Sequence, residues 1–320
     1  MSFQRYQDLG HHITRIDTAM VRDELAACYL LKGGDDYAII ETGTHHTVPI
    51  ILELLEQRRI RPERVKYVIP THVHLDHAGG AGGLMRALPG ATLLIHPRGA
   101  RHMIDPARLK AGAMAVYGEA TFARIYGDVI PVDESRVRIM EDGERLTVGD
   151  RELIFYDTPG HAKHHFCVHD PASAGIFTGD TFGISYPALT TEHGPFIFPT
   201  TTPVQFDPPA LKASINTLLE LNPERLYLTH YGMVEHPRPL GERLQGMIDD
   251  YVTVAESIAA GLAADEWQEV LQEAMLAYLS GAALDHGCQL DDDALEAMLD
   301  MDARLNSQGL TVWLQSRAES

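Results

Sequence analysis

Residues 71–77 read Thr-His-Val-His-Leu-Asp-His, which places three imidazoles and one carboxylate within six positions, directly after the apolar run 65–70. Imidazole and carboxylate are the ligands of borderline divalent metals such as zinc, manganese and ferrous iron. No fold needs that density of titratable groups at the end of a buried strand. His72 and His74 sit two apart and can point the same way from an extended backbone, while Asp76 and His77 fall on the next turn and can face a second ion. The run reads as a loop that grips two metals.

Three further candidates lie in separate segments of one local type, a strand running into a turn. His161 closes residues 153–161, Asp180 closes 175–180 and His230 closes 225–230. Each pairs a short apolar run with a polar residue at its exit, where sheet scaffolds present functional groups. One such residue alone would read as structural. Four segments together read as a ligand set.

These motifs resemble those of the metallo-β-lactamase-fold hydrolase superfamily: the Thr-His-x-His-x-Asp-His run, Gly160-His161, Gly179-Asp180 and Thr229-His230, spread over roughly residues 20–235. The resemblance implies an α/β (α+β) fold, a four-layer αββα sandwich with a metal centre along one edge. It implies that His72, His74 and His161 hold a first metal, that Asp76, His77 and His230 hold a second, and that Asp180 bridges them. One departure stands near the start, where Glu41-Thr42-Gly43 replaces the usual Asp-Thr/Ser-Gly. In the family that position supports the metal loop without ligating.

A chain of 320 residues fits one large domain plus an extension. The boundary is expected at 238/239, giving a catalytic domain over 1–238 and a helical extension over 239–320. A net charge of −19 disfavours a nucleic-acid partner, since such binding rests on clustered Lys and Arg. A small-molecule substrate remains, because bound metals supply local positive charge. Residues 1–14 have no apolar core of a leader, and no stretch approaches membrane-spanning length, so no membrane partner is expected. Cys28, Cys167 and Cys288 are odd in number and far apart. They read as reduced thiols of a cytoplasmic protein.

Strands are expected at 27–32 and 37–41 around a Gly33-Gly34-Asp35-Asp36 hairpin, at 65–69 and at 93–96. Helical spacing marks 48–58 and 209–221. Gly79, Gly80, Gly82 and Gly83 either let a helix pack close behind the ligands or make a flexible loop. Residues 136–140, 144–148 and 152–156 read as a three-strand meander turned at Asp142-Gly143 and Gly149-Asp150. Beyond Pro239 three helices follow. The first carries the face Leu240, Leu244, Met247, Tyr251, Ala255, Ile258 and Leu262. The second opens on an Asp265-x-x-Gln268 capping pattern and the third on Asp291 to Asp293. This extension is open to three placements: on the core, in a homodimer interface or over the active site.

Residues 183–206 are aromatic, rich in Pro and Thr and nearly uncharged. A long loop inside a domain is usually functional, so Tyr186, Phe196 and Phe198 are expected to wall the substrate cleft. A stripe of Met103, Met114, Tyr117, Phe122 and Tyr126 reads as packing, with a lid as the alternative. His164 and His165 are expected to orient a ligand, and His45-His46 to lie on a solvated loop.

Two cations, two carboxylates and a bridging hydroxide make a mildly electrophilic centre, in which metal-bound water has a pKa near ~7. The expected reaction is hydrolysis of an acyl bond (ester, lactone or thioester) with Asp76 accepting a hydrogen bond from the nucleophile and Tyr186 or Tyr231 protonating the leaving group. Zinc is the expected metal at both positions, with iron or manganese as alternatives. Within the resemblance the site is closest to the lactonase and glyoxalase-II-like branch. Asp180 argues against antibiotic hydrolysis. Three competing readings are a mononuclear-iron persulfide dioxygenase, a phosphodiesterase and a binding module with a vestigial site.

Overall fold

Short β-branched and aromatic runs, punctuated by Gly-Asp and Asp-Gly turns, fold into two sheets. The structure is a computed structural model that describes residues 3–201 and 204–318, apart from the side chains of residues 116 and 117. Tyr117 of the methionine stripe, and Thr202 and Pro203 of the 183–206 segment, therefore lie outside the described residues. The chain divides into two compact units. The first comprises Met1–Asp157, His164–Gly179 and Glu224–Glu235; the second comprises Thr158–Lys163, Asp180–Pro223 and His236–Ser320.

The first sheet holds β1 (Tyr6–Asp8), β2 (Ile13–Asp17), β3 (Ala27–Gly33), β4 (Asp36–Ile40), β5 (Val65–Ile69), β6 (Thr92–Ile95) and β7 (Val137–Ile139), side by side in sequence order. Pairing is antiparallel from β1 to β4 and parallel from β4 to β7. The expected hairpin is present, with Gly33 opposite Asp36 across the two-residue turn Gly34-Asp35. The second sheet holds β8 (Arg145–Val148), β9 (Arg151–Asp157), β10 (Phe166–Asp170), β11 (Gly175–Ile184), β12 (Arg225–His230) and β13 (Gly232–Glu235), in the order β13-β12-β11-β10-β9-β8.

The expected three-strand meander does not form. Leu93 pairs with Val137, so β7 runs parallel to β6 in the first sheet, while β8 and β9 form a hairpin in the second. Asp142-Gly143 thus links two sheets. The local pattern of a strand–turn–strand run carries no information about which partner each strand finds.

In the first unit the two sheets meet at three kinds of contact. Tyr29 of β3 donates its hydroxyl hydrogen to the Leu228 carbonyl of β12, and its ring lies 5.2 Å from Phe177 and 5.7 Å from Tyr227. At one edge backbone touches backbone: a Cβ at Gly33 would stand 1.9 Å from the Val148 carbonyl oxygen, and one at Gly149 would stand 2.1 Å from that of Gly33. Only glycine fits either place. Beside them Arg151 of β9 is buried, donating to Asp170 at 2.8 Å and to the Lys32 and His11 carbonyls at 3.2 and 2.5 Å. Ser173 also donates to Asp170.

Helix α1 (Val48–Gln57) buries Ile51, Leu54 and Leu55 against Val65, Val68, Leu93 and Ile95 of the first sheet. The short α2 (Leu75–Ala78) carries Asp76 and His77 of the expected metal loop, and α3 (Ala81–Ala87) follows with Leu84 and Met85 in the same core. Next come α4 (Ala100–Ile104), α5 (Ala107–Tyr117) and α6 (Glu119–Ile125), which bring Phe122 and Tyr126 around Leu75. Met103 joins the main core and Met114 the Leu75 cluster, so the stripe is packing.

The second unit contains α7 (Pro208–Glu220), α8 (Pro237–Gly261), α9 (Trp267–Asp285) and α10 (Asp292–Ala318). Asp207 caps α7 by accepting from Ala210 N at 3.0 Å, and Asp291 caps α10 by accepting from Ala294 N at 2.9 Å. The capping pair expected at Asp265 and Gln268 does not form. Glu266 accepts from Ala263 N instead, and Gln268 donates to Ser307 on α10 at 2.6 Å. Leu244, Met247, Tyr251 and Ala255 are the buried part of the α8 stripe, which runs out at Leu262. Among the described residues no helix is long and apolar enough to cross a membrane.

The Arg151–Asp170 pair generates a stability prediction. Both ions are buried, so removing one charge leaves the other without compensation, a change that costs about 3–5 kcal/mol. Asp170→Asn should therefore shift the denaturant midpoint well below that of Arg145→Gln, a change at an exposed pair. Equal midpoints for the two variants would contradict the assignment.

Candidate metal centre

Each ligand segment of the first unit ends beside one buried carboxylate. Glu41 follows β4 in a left-handed conformation (φ 62°), and that turn leads its side chain in among the ends of other strands. Its Oε1 accepts from Thr71 Oγ1 at 2.5 Å and Thr229 Oγ1 at 3.0 Å, and lies 3.1 Å from His77 Nδ1. Oε2 accepts from the Thr71 backbone N–H at 3.1 Å. Thr71 opens the metal loop after β5 and Thr229 precedes His230 at the end of β12. One carboxylate thus ties the turn after β4 to two other segments.

The metal loop is also held from behind. Thr42 donates to the His77 carbonyl at 2.7 Å. A Cβ at Gly80 would stand 2.5 Å from the Thr42 carbonyl oxygen. Of the two readings of this glycine run, close packing is the one that holds at Gly80.

Asp76, His77 and His230 converge. Each offers a ligand atom, and these atoms lie within 4.8 Å of one another. His77 Nε2 is 3.5 Å and His230 Nε2 is 3.3 Å from Asp76 Oδ2. The opposite nitrogen of each ring is tethered: His77 Nδ1 to Glu41, and His230 Nδ1 to the Leu25 carbonyl at 2.8 Å. A carbonyl can only accept, so Nδ1 of His230 carries the hydrogen and Nε2 turns a lone pair inward. Outward tethering on a carboxylate or carbonyl is the environment of a metal-bound imidazole. His72 and His74 face each other through Nε2 and Nδ1 at 2.8 Å, with Thr71 Oγ1 3.1 Å from His72 Nδ1. His165 is buried and its ring stacks on His72 at 4.8 Å; His164 lies 5.4 Å from the His74 ring.

In the second unit His161 and Asp180 form a pair of the same kind. His161 Nε2 is 3.3 Å from Asp180 Oδ2, and His161 Nδ1 faces the Thr200 carbonyl at 3.2 Å. Both residues are buried. A donor set of imidazole nitrogens and carboxylate oxygens, without thiolate, fits zinc, iron or manganese.

Two expectations about tyrosines meet buried side chains. Tyr186 is 1% exposed and donates its hydroxyl hydrogen to the Asp302 carboxylate at 3.1 Å. That bond commits the phenol inside the second unit, so it is unsuited to protonating a leaving group. Phe196 and Phe198 are fully buried and wall no open cleft. Tyr231 is 2% exposed, with the Arg15 guanidinium 4.5 Å from its ring centroid. Burial pushes its phenol far above the ordinary range, so it keeps its proton and is unsuited to giving it to a leaving group. His46 is exposed with Nε2 3.3 Å from the Ala123 carbonyl, and His45 N donates to the Tyr126 carbonyl.

The supporting residues Thr71 and Thr229 and the carbonyls of Leu25 and Thr200 were not among the sequence candidates. A signal existed for the threonines: each directly precedes a histidine at a strand end. Glu41→Gln tests the hub. The amide keeps the size but turns one N–H2 toward groups that themselves donate, so one donor loses its acceptor. Metal affinity measured by chelator competition should fall about 10–100-fold, the range for partners of metal-bound histidines. Wild-type affinity in the folded variant would show that the carboxylate does not set the ligands.

The family described as the metallo-beta-lactamase superfamily matches residues 21–230. The metallo-beta-lactamase fold-containing protein ST1585 of Sulfurisphaera tokodaii is 26% identical over 229 residues, 70% of this chain and 79% of its own. Human acyl-coenzyme A thioesterase MBLAC2 is 26% identical over 172 residues, covering 48% of this chain and 57% of that protein. The hydroxyacylglutathione hydrolase of Maricaulis maris is 31% identical over 111 residues, covering 35% of this chain and 31% of that one. In three dimensions the Thermus thermophilus protein TTHA1429 gives a TM-score of 0.64 at 20% identity over 97% of this chain and 95% of its own. The archaeal ST1585 structure gives 0.62 at 22% identity, covering 90% and 93%. These matches bear out the metallo-β-lactamase sandwich with its C-terminal helical region, and support metal-dependent hydrolysis without choosing a substrate. The chain belongs to the metallo-beta-lactamase superfamily.

Proposed function

We propose that this protein is a binuclear metal hydrolase that cleaves an acyl bond, an ester, lactone or thioester, of a small molecule. In this reading His72, His74 and His161 hold one cation, Asp76, His77 and His230 hold the other, and Asp180 is shared. The observation that carries it is the tethering of His77, His230 and His161, each with one ring nitrogen near a carboxylate oxygen and the other anchored on an acceptor. Bound divalent cations would supply Lewis acidity and a water that ionises near pH ~7.

The residues divide the remaining work. Asp76 has two carboxylate oxygens and a side chain 23% exposed, so one oxygen can ligate while the other accepts the proton of the attacking water. Tyr186 and Tyr231 are both buried, so stabilising the charge on the leaving oxygen or sulfur would fall to the bound cations. Thioesters are worth trying beside esters and lactones, since one relative is named acyl-coenzyme A thioesterase and another hydroxyacylglutathione hydrolase. The net charge of −19 disfavours a polyanionic polymer.

Asp180→Asn is the test. The amide removes the charge that would be shared by two cations. Metal content should fall toward one per chain, and turnover of activated esters, lactones and thioesters should fall by about 10² or more. A variant holding two metals tightly with full activity would remove the bridging role. Assays run without oxygen decide the reaction class: hydrolysis should persist. Oxygen uptake with a persulfide, by protein containing a single iron, would replace hydrolysis with oxygenation.

A further inference from the structure

The second unit buries a run of polar groups on α10: Asp302, Asn306, Ser307 and Thr311 are all less than a tenth exposed. A buried polar helix face needs partners, and the Asn306 carboxamide has a full set. Its Oδ1 accepts from the Thr201 backbone N–H at 2.8 Å, with Thr201 Oγ1 3.1 Å away. Its Nδ2 donates to the Pro199 carbonyl at 3.3 Å and to Tyr251 Oη at 3.4 Å. Thr201 Oγ1 also lies 3.0 Å from the Asn306 carbonyl oxygen. The helix approaches so closely that a Cβ at Gly309 would stand 2.4 Å from Thr201 Oγ1.

One peptide unit explains why this matters. The N–H of Thr201 and the C=O of Thr200 belong to the same planar amide, so fixing one end fixes the direction of the other. The N–H end is held by Asn306. The C=O end faces His161 Nδ1 at 3.2 Å, while His161 Nε2 faces Asp180. Hydrogen bonds at both ends of an amide also polarise it in the same sense. We propose that Asn306 is a positioning residue for His161: through the Thr200–Thr201 peptide it fixes the ring rotation and holds the hydrogen on Nδ1, leaving Nε2 as the ligand atom. This rests on His161 being a metal ligand for its consequence, though not for its geometry. The C-terminal helix thereby controls metal affinity from 105 residues beyond the segment it clamps.

Nitrogen NMR of metal-free protein reads the His161 tautomer directly, and zinc affinity by chelator competition reads the consequence. Wild type should carry the hydrogen on Nδ1. Asn306→Leu keeps roughly the side-chain volume and removes the acceptor, so His161 should show mixed tautomers and zinc affinity should fall about 10-fold, the low end for partners that orient a ligand. Asn306→Asp keeps an oxygen for the Thr201 N–H and should restore the wild-type tautomer. A purely structural role would lower the melting temperature alone, so a folded Asn306→Leu protein with unchanged tautomer or unchanged zinc affinity overturns the proposal. If that variant does not fold, Asn306→Ser is read in the same way. A wild-type protein that takes up neither zinc, iron nor manganese removes the hydrolase reading, and the tautomer comparison then decides the role of Asn306 on its own.

Discussion

The buried carboxylate of Glu41 is the constraint on which the first unit's candidate ligands depend. Four donors surround its two oxygens: two threonine hydroxyls, one backbone N–H and one imidazole. They come from three residues in two segments, 30 to 188 residues from Glu41. A buried carboxylate without such partners would be costly, and with them it acts as a rigid node. The extra methylene of Glu over the Asp more usual at this position sets its oxygens further from the backbone. The left-handed turn at residue 41 belongs to the same arrangement, because it redirects the chain just as the strand ends.

The candidate ligands could be picked out in the sequence because metal binding demands particular side chains at particular spacings. The hub was legible only as a departure from a motif. Glu41 as a node depends on Thr229, which lies 188 residues away and could not be matched to it without the fold. The strand residues 137–139 show the same limit. Their alternation announced a strand, but whether they joined the sheet before or after them was a tertiary choice. Tyr186 shows it differently: an uncharged aromatic loop beside a ligand suits a cleft and a buried plug equally well. The carboxylate that settles the matter is Asp302, 116 residues on.

The second unit uses polar burial in place of a purely apolar interior. Tyr186 binds Asp302, Asn306 binds Thr201 and Pro199, and Gln268 binds Ser307. Each of these bonds joins α10 to another segment of the unit. Apolar contacts tolerate sliding, whereas a satisfied polar network selects one register and is costly in any other. Such a network is suited to holding a single peptide plane, Thr200–Thr201, at a fixed angle.

Both units arrive at one solution for their histidines. His77, His230 and His161 each anchor Nδ1 on a group that accepts, namely Glu41, the Leu25 carbonyl and the Thr200 carbonyl. The anchors belong to unrelated segments, so no single motif imposes the pattern. What they share is chemistry: an imidazole whose outer nitrogen is tied has one tautomer and one rotation left. Its inner lone pair is then aimed before any cation arrives, and the entropy of ordering the ring is lost during folding and not during binding. A cation entering such a set meets donors that need little rearrangement. That accounts for why so many polar groups of this chain are buried around residues that could otherwise have been left in water.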